Sequence, residues 1–461
     1  MSWSRWSAWE LAFLAAFFIL GLCFIVVTPP FQAADENVHF LRAWHVLEGK
    51  WIGKRVGNEA GDELPLGIAQ AFSPAFERLR SKPQEKLTFE QFREQWHASP
   101  ALGGSEAMQK RTFVNFHGAV RYSPVAYAPQ ALGLAVARTL DVSVLGAVYI
   151  GRLSNLLATV GCFGLALWLL GERRDAAWVM SVFMLLPTAV FQVSSLSADA
   201  QTFGMFALVF GLYLRMQRGF SWGLFAAGLV LSAVMALGKP VYALACLIFA
   251  FAVPPPGKQR SYSLLALLSV ILGLTFLWSQ LSAGLFVETR VANVDPRGQV
   301  MYLVGQPLRV LPLLRDTLLL SGHRLVIELV GNLGWLDTLL PFPLIYASWL
   351  LMGAALVVST GDPGGTKAGG IYNPGAAALL VLLLGAILGA LYLFWSPVGA
   401  QTVLGLQGRY FLPLYWLGWL SIPHLTVGEG VVRRLRWVTL AVQVLLAGWA
   451  ILVTFHRYWA V

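Results

Sequence analysis

Charge is what this sequence has least of. Its 461 residues include 33 Lys and Arg and 23 Asp and Glu, so 12% are charged, against about 25% in a typical soluble domain. Hydrophobic residues make up 57% of the chain, and mean hydropathy is +0.65. So few charges cannot cover a globular surface of this size. An ordinary soluble enzyme, a disordered protein and a nucleic-acid binder are excluded. The net charge of +10 does not change this, because nucleic-acid binding needs a contiguous basic face. In a membrane chain the same excess sets orientation. Cysteine is also scarce. Cys23, Cys162 and Cys246 lie in apolar runs at no metal-binding spacing, which excludes a disulfide framework or zinc site and suggests inert buried thiols. Walker loops, dinucleotide fingerprints and His-Glu-x-x-His runs are missing as well, which argues against nucleotide-powered chemistry.

What is present is a series of apolar runs. A spanning helix needs about 20 mainly apolar residues. Eleven candidates fit: 10–28, 143–170, 176–194, 199–214, 221–238, 240–254, 262–282, 340–358, 375–395, 411–426 and 437–455. The first ends at Pro29-Pro30 without a small-residue cleavage site and reads as a retained span. The run 122–140 carries two prolines and a Gln, and it reads as a helix lying along or dipping into the outer face. With 122–140 not crossing, the basic turns holding Arg173, Arg174, Arg215, Arg218, Lys258, Arg260, Lys367, Arg433, Arg434 and Arg436 share one side with Arg5. The positive-inside rule makes that side cytoplasmic. The expected fold is therefore a single all-α polytopic membrane domain over 1–461, N-terminus inside and C-terminus outside, in contact with the lipid bilayer. Two segments face outward, 29–142 and 283–339. The first is too long for a connector. Residues 29–121 hold 12 basic and 11 acidic residues, the balance of a water-facing subdomain with interfacial helices. Loops 285–300 and 359–374 read as Gly- and Pro-containing connectors.

The remaining polar residues fall together at the outer face. Asp35-Glu36 stands just past the first span. His39 and Arg42 follow at helical spacing, so Asp35, His39 and Arg42 are expected to converge. Capping of a helix N-terminus is the plain alternative for the two carboxylates. Arg152 and Asn155 fall in the outer part of 143–170. Gln192 and Asp199 flank an outer turn, and Lys239 and Tyr242 occupy the next. Trp335 and Asp337 precede one span; Gln407, Arg409 and Tyr410 precede another. Charged groups near membrane depth are costly and usually face a cavity or a partner. Carboxylates here suit general-base activation of a hydroxyl. Arg152, Lys239 and Arg409 suit a phosphate or pyrophosphate leaving group. Trp335, Tyr127 and Tyr410 suit stacking on a sugar ring or an isoprenoid chain. Asp35, Glu36 and His39 also offer donors for a divalent cation such as Mg or Mn, although their spacing does not require one.

These residues carry a resemblance. The stretches Pro29-Pro-Phe-Gln-Ala-Ala-Asp-Glu-Asn-Val-His-Phe, Tyr122-Ser-Pro-Val-Ala-Tyr-Ala-Pro-Gln and Gly151-Arg-Leu-Ser-Asn open the set. Leu186-Pro, Gln192-Val-Ser-Ser-Leu-Ser-Ala-Asp, Gly238-Lys, Gly334-Trp-Leu-Asp and Gln407-Gly-Arg-Tyr-Phe-Leu-Pro complete it in order. The chain resembles the bacterial membrane proteins grouped as domain of unknown function 2142, themselves similar to the C-type (GT-C) glycosyltransferases. Ala34 stands where a proline is more usual before Asp-Glu. The resemblance implies a multi-pass protein of the bacterial cytoplasmic membrane. It would transfer a sugar from a polyprenyl-phosphate-linked donor to a glycan, lipid or protein acceptor on the extracytoplasmic side. Asp35 or Glu36 would be the base. Arg152, Lys239 and Arg409 would hold the donor phosphate. His39, Arg42, Tyr122, Tyr127, Asn155, Gln192, Asp199, Tyr242, Trp335, Asp337, Gln407 and Tyr410 would bind substrate. The rivals are a flippase or transporter of lipid-linked sugars, an envelope polysaccharide polymerase or ligase, and a non-enzymatic membrane scaffold.

Overall fold

The computed structural model describes residues 6–253, 257–287, 291–359 and 373–460. The basic turn expected at 361–370, with Lys367, lies outside them. Among the described residues, five helices are long and apolar enough to cross a membrane: Ala8–Val27, Val144–Leu170, Gly257–Leu281, Pro374–Trp395 and Glu429–Tyr458. A backbone in lipid must satisfy its own hydrogen bonds, which the continuous helix does. The first begins where Ser7 and Glu10 form a reciprocal capping box, and it stops ahead of Pro29-Pro30, which cannot continue it.

Other expected spans take less regular forms. The run 176–194 is two helices, Arg174–Met184 and Pro187–Val193, bent by 73°. Pro187 enters at the first turn of the second, where its missing N–H does no harm. The run 240–254 is a short α-turn, Pro240–Ala243, followed by a 3-10 helix, Leu244–Ala252. The longer 3-10 rise stretches these thirteen residues to about 24 Å. The run 122–140 holds a twelve-residue helix, Ala128–Thr139, about 18 Å long and short of the ~30 Å hydrocarbon layer. Its Gly133 lies against Gly151 and Ser154 of Val144–Leu170. Helix Val310–Gly331 falls inside the segment 283–339 and did not register as a regular element in the sequence.

Packing of the bundle is aromatic-rich. Phe17 and Phe163 meet at 4.9 Å, and Phe183 and Trp416 at 5.0 Å. Such contacts matter between helices in lipid, where apolar surface alone gives no preference for protein over solvent. A second core lies at one end of the bundle, which we call the loop end. It gathers Phe31, Phe40, Trp44, Phe76 and Phe116 with Tyr458 and Trp459 of the C-terminal helix. The segment 29–142 thus packs against the bundle. It also contains β-structure, which the all-α expectation did not include. Strands Lys54–Val56, Glu59–Pro65 and Arg111–Asn115 form an antiparallel sheet. Gly57-Asn58 makes the two-residue turn between the first two strands, with Gly57 at φ +59°, the turn chemistry of a tight hairpin.

Candidate active site

At the loop end, six segments converge on a cavity of about 260 Å³. Its walls include Asp35, His39, Tyr122, Asp199, Lys239, Tyr242, Arg409 and Tyr410, with Pro240, Val241, Ile387, Ala390, Leu391 and Trp395 as an apolar side. Asp35 is the N-cap residue of helix Glu36–Leu47, yet its carboxylate makes no cap hydrogen bond. Its backbone is left-handed, φ 62°, which is uncommon for a residue other than glycine. Such conformations cluster where function requires them. The Asp35 side chain is 51% exposed, and Arg409 Nη2 stands 3.5 Å from its Oδ2. The capping alternative for Asp35 is therefore not met.

Opposite Asp35 lies Asp199, at the start of helix Asp199–Arg218 and only 10% exposed. It pairs with Lys239, and its Oδ2 lies 3.5 Å from Arg409 Nε. Arg409 is thus held between two carboxylates, and Gln192 Oε1 touches its Nη1 at 3.4 Å. Lys239 Nζ sits 5.8 Å from the Tyr122 ring. Tyr242 donates to the Tyr410 carbonyl at 2.9 Å. Two cations and two carboxylates, one of them open to solvent, face one another inside a partly apolar enclosure. The arrangement can accept a proton at Asp35 and hold an anion at Arg409 and Lys239.

Of the wall residues, His39 places its Nδ1 2.6 Å from the hydroxyl of Tyr127. Burial is the largest influence on His39 and lowers its pKa to about 4. Asp35 and Asp199 oppose the shift, while Lys239 and Arg409 add to it. The sign follows from linkage. The folded pKa lies below the unfolded value of 6.5, so the neutral ring contributes its full stability above about pH 6.5. That contribution falls away as pH drops from 6.5 to about 4, by about 3 kcal/mol in all. The apparent unfolding temperature in detergent should therefore drop across this window, and His39→Gln should reduce the drop. An unchanged pH dependence in His39→Gln would remove His39 from this account.

Several expected site residues stand elsewhere. Glu36 and Arg152 are both fully buried and bonded to each other at 2.6 Å and 2.8 Å. Glu36 also accepts from the N–H groups of Phe31 and Leu196. Arg152 donates to the carbonyls of Ile25, Thr28 and Pro29. Every strong donor and acceptor of this pair is spent on the chain itself, so neither lines the cavity. Arg42 was expected beside Asp35 but turns into the loop subdomain, donating to the carbonyls of Tyr122 and Trp51 and contacting His45. Asn155 holds the Ser195 and Ser197 carbonyls. Trp335 donates to the Phe31 carbonyl. Asp337 pairs with Arg457 at 2.8 Å and accepts from the Ser81 and Trp335 N–H groups. Gln192 and Tyr127 stand one layer behind the cavity. Gln407 precedes Arg409 without lining it. A cation held by Asp35, Glu36 and His39 does not fit. Glu36 is consumed by Arg152, and among the described residues no three His, Cys, Asp or Glu side chains gather as a metal site.

Two contributions escaped the sequence reading. Glu328 is buried within an apolar stretch, where it could have been noticed as an outlier. Its Oε2 accepts from the Gly408 N–H at 3.1 Å and its Oε1 from Arg324. A side chain at Gly408 would collide with the backbone of Glu328 and Leu329. Glu328 and Gly408 together fix the chain just before Arg409. The apolar side wall was also missed, since Ile387 and Leu391 look like any pair four residues apart on a span.

Comparison with known proteins agrees with the membrane character. No curated protein and no solved structure matches the chain. Residues 18–417 match the model of a family described as predicted membrane protein, DUF2142. That stretch runs from the first long helix to the segment carrying Arg409 and includes every cavity residue named above. The chain therefore belongs to the DUF2142 family of predicted membrane proteins.

Proposed function

We propose that this protein is a glycosyltransferase of GT-C-like architecture with eleven membrane spans. In this reading the cavity opens on the extracytoplasmic side of the cytoplasmic membrane. It takes a sugar from a polyprenyl-phosphate-linked donor and passes it to a glycan, lipid or protein acceptor. The observation that carries this reading is the exposed, uncapped Asp35 facing Arg409 and Lys239. Asp35 removes the proton of the acceptor hydroxyl. The freed oxygen attacks the anomeric carbon from the face opposite the phosphate, and the bond from that carbon to the phosphate oxygen breaks. Polyprenyl phosphate leaves with the electron pair, its growing charge met by Arg409 and Lys239. Asp199 balances these cations before substrate arrives. The apolar side wall suits the first isoprene units of the donor.

Arg409→Gln and Lys239→Met should each lower kcat/KM for the lipid-linked donor by about 100- to 1,000-fold, the range for loss of one group that stabilises transition-state charge. Steady-state transfer assays in proteoliposomes measure this. Unchanged kinetics in both variants would remove the phosphate from this end of the cavity.

A second reading, a flippase for lipid-linked sugars, draws on the break between Arg174–Met184 and Pro187–Val193. Discontinuous helices often build transport sites. Here the break is flanked by buried Met184, Leu185 and Leu186, whereas a transport site would present polar groups or backbone to a midplane cavity. The polar residues gather at the loop end instead, which favours the transferase. Donor flux across proteoliposomes with no new glycoside would reverse that preference.

A further inference from the structure

A second cavity, about 380 Å³, lies on the other side of helix Pro374–Trp395. It is lined by Tyr302, Arg309, Arg315, Asp316, Tyr392 and Gln401, with Leu313 and Gly399 among the rest. It shares no residue with the first cavity: Leu391 faces one and Tyr392 the other. Its walls are tied together. Gln299 Oε1 accepts from the Gly399 N–H at 2.9 Å, the Tyr392 hydroxyl donates to the Ala400 carbonyl at 2.9 Å, and Thr317 Oγ1 accepts from the Val403 N–H at 3.0 Å. Segment 399–403 is thus pinned across the helices that frame the pocket.

Two features define the ligand. Arg309 gives its Nε–H to Gln306 and Arg315 gives its Nε–H to Asp316. Neither contact uses the terminal amines, which supply the strong charge-assisted bonds to phosphate. Beside the pocket runs an apolar ridge, Met301, Val304, Leu308 and Leu311, each two-thirds or more exposed. Basic groups beside exposed apolar residues are the pattern of a segment that meets the bilayer interface. Free phosphate would use the arginines but not the ridge.

We propose that this cavity binds the phosphate headgroup of an anionic membrane lipid, with its chains along the Met301–Leu311 ridge. The site is separate from the transfer cavity and does not depend on the transferase reading. Titration of the full-length protein in detergent with phosphatidylglycerol, followed by native mass spectrometry, tests it. The double variant Arg309→Gln/Arg315→Gln should bind this lipid at least tenfold more weakly than wild type. Arg297→Gln, near the ridge but outside the pocket wall, should bind as wild type. Gln401→Trp, which fills the pocket while keeping both arginines, should weaken binding as well. Phosphatidylcholine, its phosphate shielded by choline, should bind wild type less tightly than phosphatidylglycerol. Undiminished phosphatidylglycerol binding by both pocket variants would overturn the proposal. So would equal binding of phosphatidylcholine, or complete displacement of the lipid by an equal concentration of inorganic phosphate.

Discussion

Replacing Asp35 with Asn is expected to reduce sugar transfer by about 10²- to 10⁴-fold, the range supplied by a positioned general base. The amide is nearly isosteric with the carboxylate but cannot accept the acceptor's proton. Little stability should be lost, because the side chain is half exposed and makes no cap bond. Asn also tolerates the left-handed backbone found at this position. The loss should therefore fall on kcat, with the unfolding temperature near that of wild type. Activity assays and thermal unfolding on the same preparation separate the two. Near-normal transfer by Asp35→Asn would exclude Asp35 as the base.

The adjacent carboxylate should behave in the opposite way. Glu36→Gln or Arg152→Met leaves one member of a fully buried ion pair without its partner. Breaking such a pair costs about 3–5 kcal/mol, because the remaining charge is stranded away from water. The cost here reaches beyond the pair. Arg152 gathers the carbonyls at the end of the first helix, and Glu36 holds the N–H groups of Phe31 and Leu196. The turn carrying Asp35 is built on these bonds. Both variants should show a large fall in unfolding temperature and reduced yield from the membrane. The double variant Glu36→Gln/Arg152→Met should lose less than the sum of the singles, the sign of direct coupling. Additive losses would contradict the pairing.

This contrast marks how far the sequence could be read. Scarcity of charge made Asp35, Glu36, Arg152, Asp199, Lys239, Asp337 and Arg409 stand out, and the helical hydropathy runs placed them toward one end of a bundle. The next step was not legible. Asp35 and Glu36 are neighbours in a polar motif, and only the left-handed turn at Asp35 sends one outward and the other into the core. Arg152 finds its partner 116 residues away, and Asp337 finds Arg457 120 residues away. No local pattern announces such pairs, so structural charges looked like ligands. The bend ahead of Pro187 carried a local signal, but the length of the apolar run 176–194 outweighed it. The hairpin at Gly57-Asn58 carried one too, and it was lost within a polar segment read only for charge.

Product stoichiometry tests sugar transfer by this protein most directly. The purified protein would be placed in proteoliposomes with a donor labelled in both the sugar and the polyprenyl phosphate, in the presence of acceptor. One free polyprenyl phosphate should be released for each glycoside formed, with both products lost together in Asp35→Asn. Labelled donor that crosses the bilayer intact, or equal product formation by wild type and Asp35→Asn, would contradict this mechanism.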